Sequence, residues 1–391
     1  MKVAILGGGP SGAFAAERLA SAGVETVLID EKLAWEKPCG GGLTWKAWSQ
    51  YPFLTCDSTP HKVVTETVLA APKSAPVSLK LDNPLLIYSR FDLNSLLLRR
   101  AEKAGAQVEK TRVLTADRTS NGWRLRTKNG DIEADRCILA TGARNPLRQF
   151  GTELTASDAM SALGYYVPSE RQRIDIQFLP GLEGYIWVFP RCGHLSVGIC
   201  GKGEPAQVLR KRLERYMDEQ SIPYKGAAFY SHLLPALDTP AWKRNRVAGD
   251  GWLAVGDAAG LVDPITGEGL YYAMRSAHLA ADSILTDPAE ATGAAYRKIL
   301  RKDFLADLEF GSRLASRVFH GSFLFGSVTS RMIQFTRLSP RFREVMQDLF
   351  EGSQPYLGLK RRLFKNLNWS LLEVVCNVGF GRLVPRREPA A

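Results

Sequence analysis

Two glycine turns, placed almost a whole domain apart, constrain this chain more than any other feature. Gly7-Gly8-Gly9-Pro10-Ser11-Gly12 follows the apolar run Lys2 to Leu6 and precedes Ala13 to Ala22, which reads as a helix. Strand, glycine turn and helix N-terminus in that order make a cradle for a dinucleotide pyrophosphate. The glycines let backbone approach the phosphates, and the helix supplies N–H donors and a partial positive charge. Val24 to Ile29 reads as a second strand ending at Asp30-Glu31, where a carboxylate can accept the ribose hydroxyls. Gly7, Gly9, Ser11, Gly12, Asp30 and Glu31 are the expected contacts.

The second turn selects the dinucleotide. Trp252 to Val255 reads as a buried strand that delivers Gly256-Asp257-Ala258-Ala259, and Asp263 to Gly269 opens a further helix at Leu270. An NAD-only Rossmann domain has no use for this late return, whereas a ribityl chain can take Asp257. The expected cofactor is FAD, held non-covalently, with Gly256, Asp257, Gly267, Glu268 and Gly269 as its second set of contacts. The alternative is two unrelated turns in an α/β protein.

With 391 residues the chain exceeds one core, so two or three domains are expected. The fold class read from the element order is α/β: a Rossmann-type FAD-binding domain, an inserted antiparallel-sheet substrate domain and a helical C-terminal region. The expected FAD domain is discontinuous (1–50, 85–160 and 245–295), with the substrate domain at 51–84 and 161–244 and the helical region at 296–391. Leu93 to Ala104 reads as an amphipathic helix. Strands follow at Gln107 to Val113, Trp123 to Arg126 and Ile132 to Leu139, the last ending at the small-residue turn Ala140-Thr141-Gly142. Val113, Ala140 and Gly142 join the expected cofactor contacts. Between Leu163 and Gly201 short strands recur, as in an antiparallel sheet.

The six cysteines are scattered without a CxxC pair or zinc spacing, the pattern of a reduced, cytoplasmic protein with no metal site. No signal peptide and no spanning helix are expected. Charge is uneven: from Tyr296 onward 17 Lys and Arg stand against 8 Asp and Glu, leaving +9 of the net +11. Lys360 to Lys365, then Trp369 to Val375, interleave basic and apolar residues at helical spacing. That pattern suits a helix lying on an anionic membrane, or equally a C-terminal helix packed on the core with a solvated basic edge. No nucleic-acid motif accompanies the charge, so no nucleic-acid partner is expected.

Cys39-Gly40-Gly41-Gly42 cannot be a helix or a well-packed strand without a specific reason for three glycines. Close passage against a flat ring is one reason; a surface loop is the other. Tyr185, Trp187 and Phe189 alternate on a strand and so share one face, either a substrate wall or a core face.

Taken in order, the opening glycine turn with Asp30, Lys37-Pro38-Cys39-Gly40-Gly41-Gly42-Leu43, Tyr185-Ile186-Trp187-Val188-Phe189-Pro190 and Gly256-Asp257 through Gly269 resemble the geranylgeranyl reductase family, within the p-hydroxybenzoate hydroxylase-like flavoproteins. The resemblance spans residues 1 to about 280. It implies that Cys39, with Gly40 and Gly41, lies beside the flavin, that Cys39, Tyr185 and Trp187 are catalytic or substrate-facing, and that Arg90 contacts the flavin. It implies reduction of carbon–carbon double bonds in a prenyl-type lipid, with NAD(P)H or ferredoxin as electron donor. Gly198-Ile199-Cys200-Gly201 departs from the family's Gly-x-Gly, and Gly142-Ala143-Arg144 lacks the Asp-Gly of hydroxylase relatives. Two other classes stay open here: an oxygen-using hydroxylase or halogenase, for which Trp187 and Pro190 fit part of a Trp-x-Trp-x-Ile-Pro pattern, and a non-catalytic lipid escort.

Overall fold

The computed structural model describes residues 1–365 apart from 146, 148, 149, 153, 289, 290 and 364. The N-terminal strand Lys2–Leu6 lies at the centre of a six-stranded sheet. It pairs in parallel with Glu25–Ile29 on one side and Arg136–Leu139 on the other. Trp252–Ala254 then pairs in parallel with Arg136–Leu139, so a strand from late in the chain completes the sheet begun at residue 2. All of these strands except the edge strand Ala248–Gly249 run parallel. Their near-continuous apolar sequences fit burial on both faces by crossover helices. Helices Pro10–Ser21 and Leu270–Thr286 pack on each other, each starting at a glycine turn.

A second sheet has eight strands, in the order Ala228–Pro235, Ala159–Val167, His194–Lys202, Glu183–Arg191, Ile174–Phe178, His61–Ala71, Ser74–Tyr88 and Gly42–Leu43. All its pairings are antiparallel except Ile174–Phe178 with His61–Ala71. Residues on either side of 85 and 160 therefore lie on one continuous sheet. A separate three-stranded sheet, Val113–Thr119, Gly122–Thr127 and Gly130–Ala134, follows the strand Gln107–Glu109.

The large sheet is covered differently on its two faces. Ile186, Val188, Val197 and Ile199 pack under helix Ala206–Glu219 through Leu209, Leu213 and Met217. The other face meets Ala306–His320, Val328–Leu338 and Pro340–Glu351. Glu351 fastens this helical layer to the sheet by accepting the N–H groups of Asp82 (2.9 Å) and Asn83 (3.2 Å) and the Asn83 amide (2.7 Å). A two-stranded hairpin, Ser322–Phe323 with Gly326–Ser327, interrupts the helical region. Among the described residues no helix is long and apolar enough to cross a membrane.

Candidate active site

The two glycine turns meet at the carboxyl ends of the parallel strands. A methyl group at Gly256 would stand 3.1 Å from the Ser11 hydroxyl. At Gly12 the equivalent atom would lie 1.8 Å from the Gly7 carbonyl oxygen, and at Gly7 2.3 Å from that of Ala140, so these positions close strand, turn and helix together. Gly12 is thus packed against the turn's own backbone. Gly9, the N-cap of the first helix, has nothing within 4 Å of that position, which leaves room for a phosphate at the helix terminus. One Asp30 oxygen accepts the Gly8 N–H (2.8 Å), and the other accepts those of Lys32 and Leu33 (both 2.7 Å). Glu31 is exposed beside it. Val113 opens the small sheet just past the strand that neighbours Glu25–Ile29.

Lys37 brings the turns and the Cys39 loop together. Its Nζ lies 3.3 Å from Asp257 Oδ2 and near Gly142, while Gly269 stands beside the other Asp257 oxygen. Burial pulls the Asp257 carboxyl up, but Lys37, His232 and Arg90 outweigh it and hold the group below the usual carboxylate range. Arg90 is 4% exposed; one terminal nitrogen donates to Asn94 (3.3 Å), and its Nε has no partner. A buried, incompletely paired guanidinium, a helix N-terminus facing open space and a lysine–aspartate pair form a donor set suited to an anionic dinucleotide with a polar isoalloxazine edge.

From Cys39 an apolar cavity of about 1000 Å³ runs between the large sheet and the C-terminal helices. The sheet contributes Ile176, Phe178, Tyr185, Trp187, Phe189 and Leu234; the helices contribute Phe310, Leu314, Met332, Phe335, Val345 and Leu349. Trp187 lies flat over Gly198, its cross-strand partner, where any β-carbon would come within 2.2 Å of the indole. The ring that Gly40 and Gly42 pass is that of Phe189, at 3.3 and 3.0 Å from their would-be β-carbons. Gly41, at φ +85°, presses against the Tyr88 carbonyl. The triple glycine is therefore not a free surface loop.

Arg191 carried no sequence motif, yet it holds this loop. Its side chain is fully buried and donates to Glu36, to the Cys39 carbonyl and to the Gly40 carbonyl (3.4 Å). Ser196 also donates to the Cys39 carbonyl (3.1 Å) and exchanges a hydrogen bond with Tyr230 (2.8 Å). Trp187 Nε1 lies 3.4 Å from the same hydroxyl. The Tyr185 hydroxyl donates to the Thr266 carbonyl, and burial pushes it well above its ordinary range.

Glu268 lines this cavity and accepts from the Thr44 hydroxyl (2.9 Å). Burial pushes its carboxyl up to about 7, against the pull of nearby Lys46 and with the push of Asp263. A β-carbon at Gly267 would stand 3.3 Å from the Tyr185 oxygen. His232, also missed in the sequence, lines the cavity with an unpartnered Nε2, and burial together with Lys37 keeps the ring neutral. Residues 356–363 are helical, and Tyr356 donates to buried Asp263 (2.9 Å), tying the C-terminal segment to the Asp263–Gly269 turn. Leu363 lines the cavity and Arg362 pairs with Asp348 (2.5 Å) and Gln354 (2.8 Å), so both are engaged by the fold. Phe364 and residues 366–391, with Trp369, lie outside the described residues. Among the described residues no group of His, Cys, Asp or Glu could hold a metal ion.

The family model for pyridine nucleotide-disulphide oxidoreductases matches residues 1–158. The chloroplastic geranylgeranyl diphosphate reductase of Arabidopsis thaliana is 29% identical over 317 residues, covering 73% of this chain and 66% of that one. The chain is similar to geranylgeranyl diphosphate reductases. Its cofactor is FAD. The matched region spans about two thirds of the length of the plant enzyme. A geranylgeranyl bacteriochlorophyll reductase-like protein from Thermoplasma acidophilum shares the fold, with TM-score 0.75, 23% identity and coverage of 93% and 98% of the two chains. A flavin-dependent brominase shares it too, at TM-score 0.68 and 16% identity over 94% and 99%. The chain thus has a fold shared by a reductase-like protein and a brominase, and its chemistry must be argued from its own cavity.

Proposed function

We propose that this protein is an FAD-dependent reductase of carbon–carbon double bonds in a prenyl-type lipid. The observation that carries the reading is the long apolar cavity, which begins at the Cys39 loop and is walled by Tyr185, Trp187 and Phe189. An isoprenoid chain offers only apolar surface and alkenes, and burying it in such a cavity is favourable by about 25 cal/mol per Å². FAD, once reduced, supplies a hydride. Arg90, Lys37, Asp257 and the helix beginning at Gly9 would hold it, with the Cys39 loop at its substrate side.

An isolated alkene accepts hydride poorly, so a proton must reach the second carbon in a dry site. Tyr185 has its proton engaged by Thr266. Glu268, a cavity-facing acid with a pKa of about 7, is the better source, and general-acid assistance is typically worth about 10²–10⁴-fold. Cys39, which lines the same cavity, positions or protonates the substrate. The basic residues near the C-terminus add a weak, salt-sensitive attraction to anionic membranes, about 1 kcal/mol for each Lys or Arg at the surface.

Anaerobic incubation of dithionite-reduced protein with geranylgeranyl lipids tests the reading. Products heavier by two hydrogens per reduced bond are expected. A strict need for oxygen, with hydroxylated or halogenated aromatic products, would replace it with a monooxygenase or halogenase. A colourless protein with no turnover would replace it with a lipid carrier.

A further inference from the structure

The hairpin Ser322–Ser327 is built against the ordinary preferences of both backbone and solvent. Ser322 pairs with Ser327 and Phe323 with Gly326, leaving a two-residue loop of Leu324 and Phe325. Both loop residues have positive φ, 47° and 61°. Loops of this type favour Asn-Gly, because residues without bulky side chains tolerate the left-handed region. Here two large apolar residues occupy it. They also face water: Phe323 is 46% exposed, Leu324 48% and Phe325 107%.

The loop is nevertheless held in place. Arg331 donates to the carbonyls of Phe323 (3.3 Å) and Leu324, and the Val328 N–H to the Gly321 carbonyl (3.0 Å). Phe323 packs near Phe335, and both line the cavity. The apolar tip is therefore a fixed projection at the rim of the substrate cavity. Around the same rim stand Arg317, Arg331 and Lys360, with exposed Arg361 one residue further along. The acids of the cavity lie deeper and are engaged: Asp263 with Tyr356, Glu268 with Thr44, and Asp307 with the N–H groups of Tyr356 and Leu357.

We infer that the Leu324-Phe325 tip is a wedge that enters an anionic lipid bilayer and places the cavity mouth at the membrane surface. Rigid apolar side chains ringed by cations match the interfacial layer of such a membrane, where apolar groups reach the acyl boundary and cations meet lipid phosphates. Docking itself does not require the reductase reading; delivery of a prenyl substrate through this mouth rests on it.

Leu324→Asn/Phe325→Gly gives the loop the residues its turn type prefers while removing the apolar tip. The FAD-loaded variant should melt at or above the wild-type temperature. In cosedimentation with vesicles of phosphatidylcholine and phosphatidylglycerol, its partition coefficient should fall at least tenfold. The difference should persist in high salt, where attraction by the surrounding cations is screened. Unchanged partitioning of the variant would overturn the inference. So would a wild-type protein that ignores these vesicles but self-associates in sedimentation, with the variant restoring the monomer, because the tip would then serve a second copy of the chain. Binding is read without turnover, so a protein that docks through the tip yet reduces no lipid would count against the reductase reading alone.

Discussion

Replacing Arg191 with methionine is the most direct probe of how the Cys39 loop is held. The side chain is fully buried, and its loss strips a donor from Glu36 and from the carbonyls of Cys39 and Gly40. A hydrogen bond involving a charged group contributes about 1.5–3 kcal/mol net. The Glu36 side chain keeps 30% exposure, so water recovers part of its loss, and the half-buried Cys39 carbonyl keeps Ser196 as a donor. The expected cost is about 3–5 kcal/mol, the range for breaking one partner out of a buried pair. At about 0.8 kcal/mol per kelvin of unfolding entropy for a chain of this size, that is a fall of about 4–6 °C in melting temperature. Adding Glu36→Gln removes the orphaned carboxylate and keeps one acceptor oxygen for the N–H of Arg90 or of Phe91, so the double variant should recover about 1–2 kcal/mol. Calorimetry of the four proteins closes the cycle. A single variant melting within a degree of wild type, or a double variant no better than the single, would refute the claim that this cation clamps the loop.

The remaining predictions concern cofactor and chemistry. Gly12→Val should abolish FAD retention, because its β-carbon meets the Gly7 carbonyl at 1.8 Å, and Asp257→Ala should weaken FAD about 10–100-fold; full yellow occupancy in both would sink the site assignment. Cys39→Ser should keep its flavin spectrum but lose most of the lipid-reduction rate, and unchanged turnover would remove Cys39 from the chemistry. If Glu268 supplies the proton, the wild-type rate should decline above about pH 7 as the acid ionises, whereas Glu268→Gln should be slower by about 10²-fold or more and lack that limb. Because the folded-state pKa is raised, stability from the protonated form is present in full below the unfolded value and lost as pH rises towards 7. Melting temperatures of wild type and Glu268→Gln should therefore diverge over that interval; parallel curves would contradict the shift.

What the sequence made legible were features with local causes. The glycine turns announce themselves because backbone packing admits no side chain at Gly7 or Gly12, and the spacing of Tyr185, Trp187 and Phe189 reveals a shared face because strands alternate. The long hairpin His61–Ala71 and Ser74–Tyr88 was not legible. Pro76 and Pro84 interrupt its second strand, and irregular register between Val64 and Glu66 breaks the alternation that would mark the first. Arg191 and His232 were invisible for a different reason. An arginine after Pro190 and a histidine in a short strand look like surface residues until tertiary contacts bury them. The Thr44 hydroxyl that Glu268 accepts was equally hidden, because it comes from a segment 224 residues away.

The strand Glu183–Arg191 shows how one scaffold can host different chemistries. Its Ile186 and Val188 face is spent on the core beneath helix Ala206–Glu219. Its other face lines the cavity, and the shared fold of a brominase indicates that the fold alone does not choose the reaction. Here the choice falls to the C-terminal helices. By laying Phe310, Leu314, Met332 and Phe335 over Tyr185 and Trp187, they convert an open sheet face into a long apolar enclosure. Excluding water in this way raises the pKa of any carboxyl left inside, and Glu268 is such a carboxyl. The same packing that, on the proposed reading, would enclose an isoprenoid chain also raises the pKa of an enclosed acid to about 7. A wide, wet pocket would favour ionised Glu268 and expose an alkene to neither hydride nor proton in a fixed geometry. On the proposed reading, substrate fit and proton supply would both follow from this one helical cover.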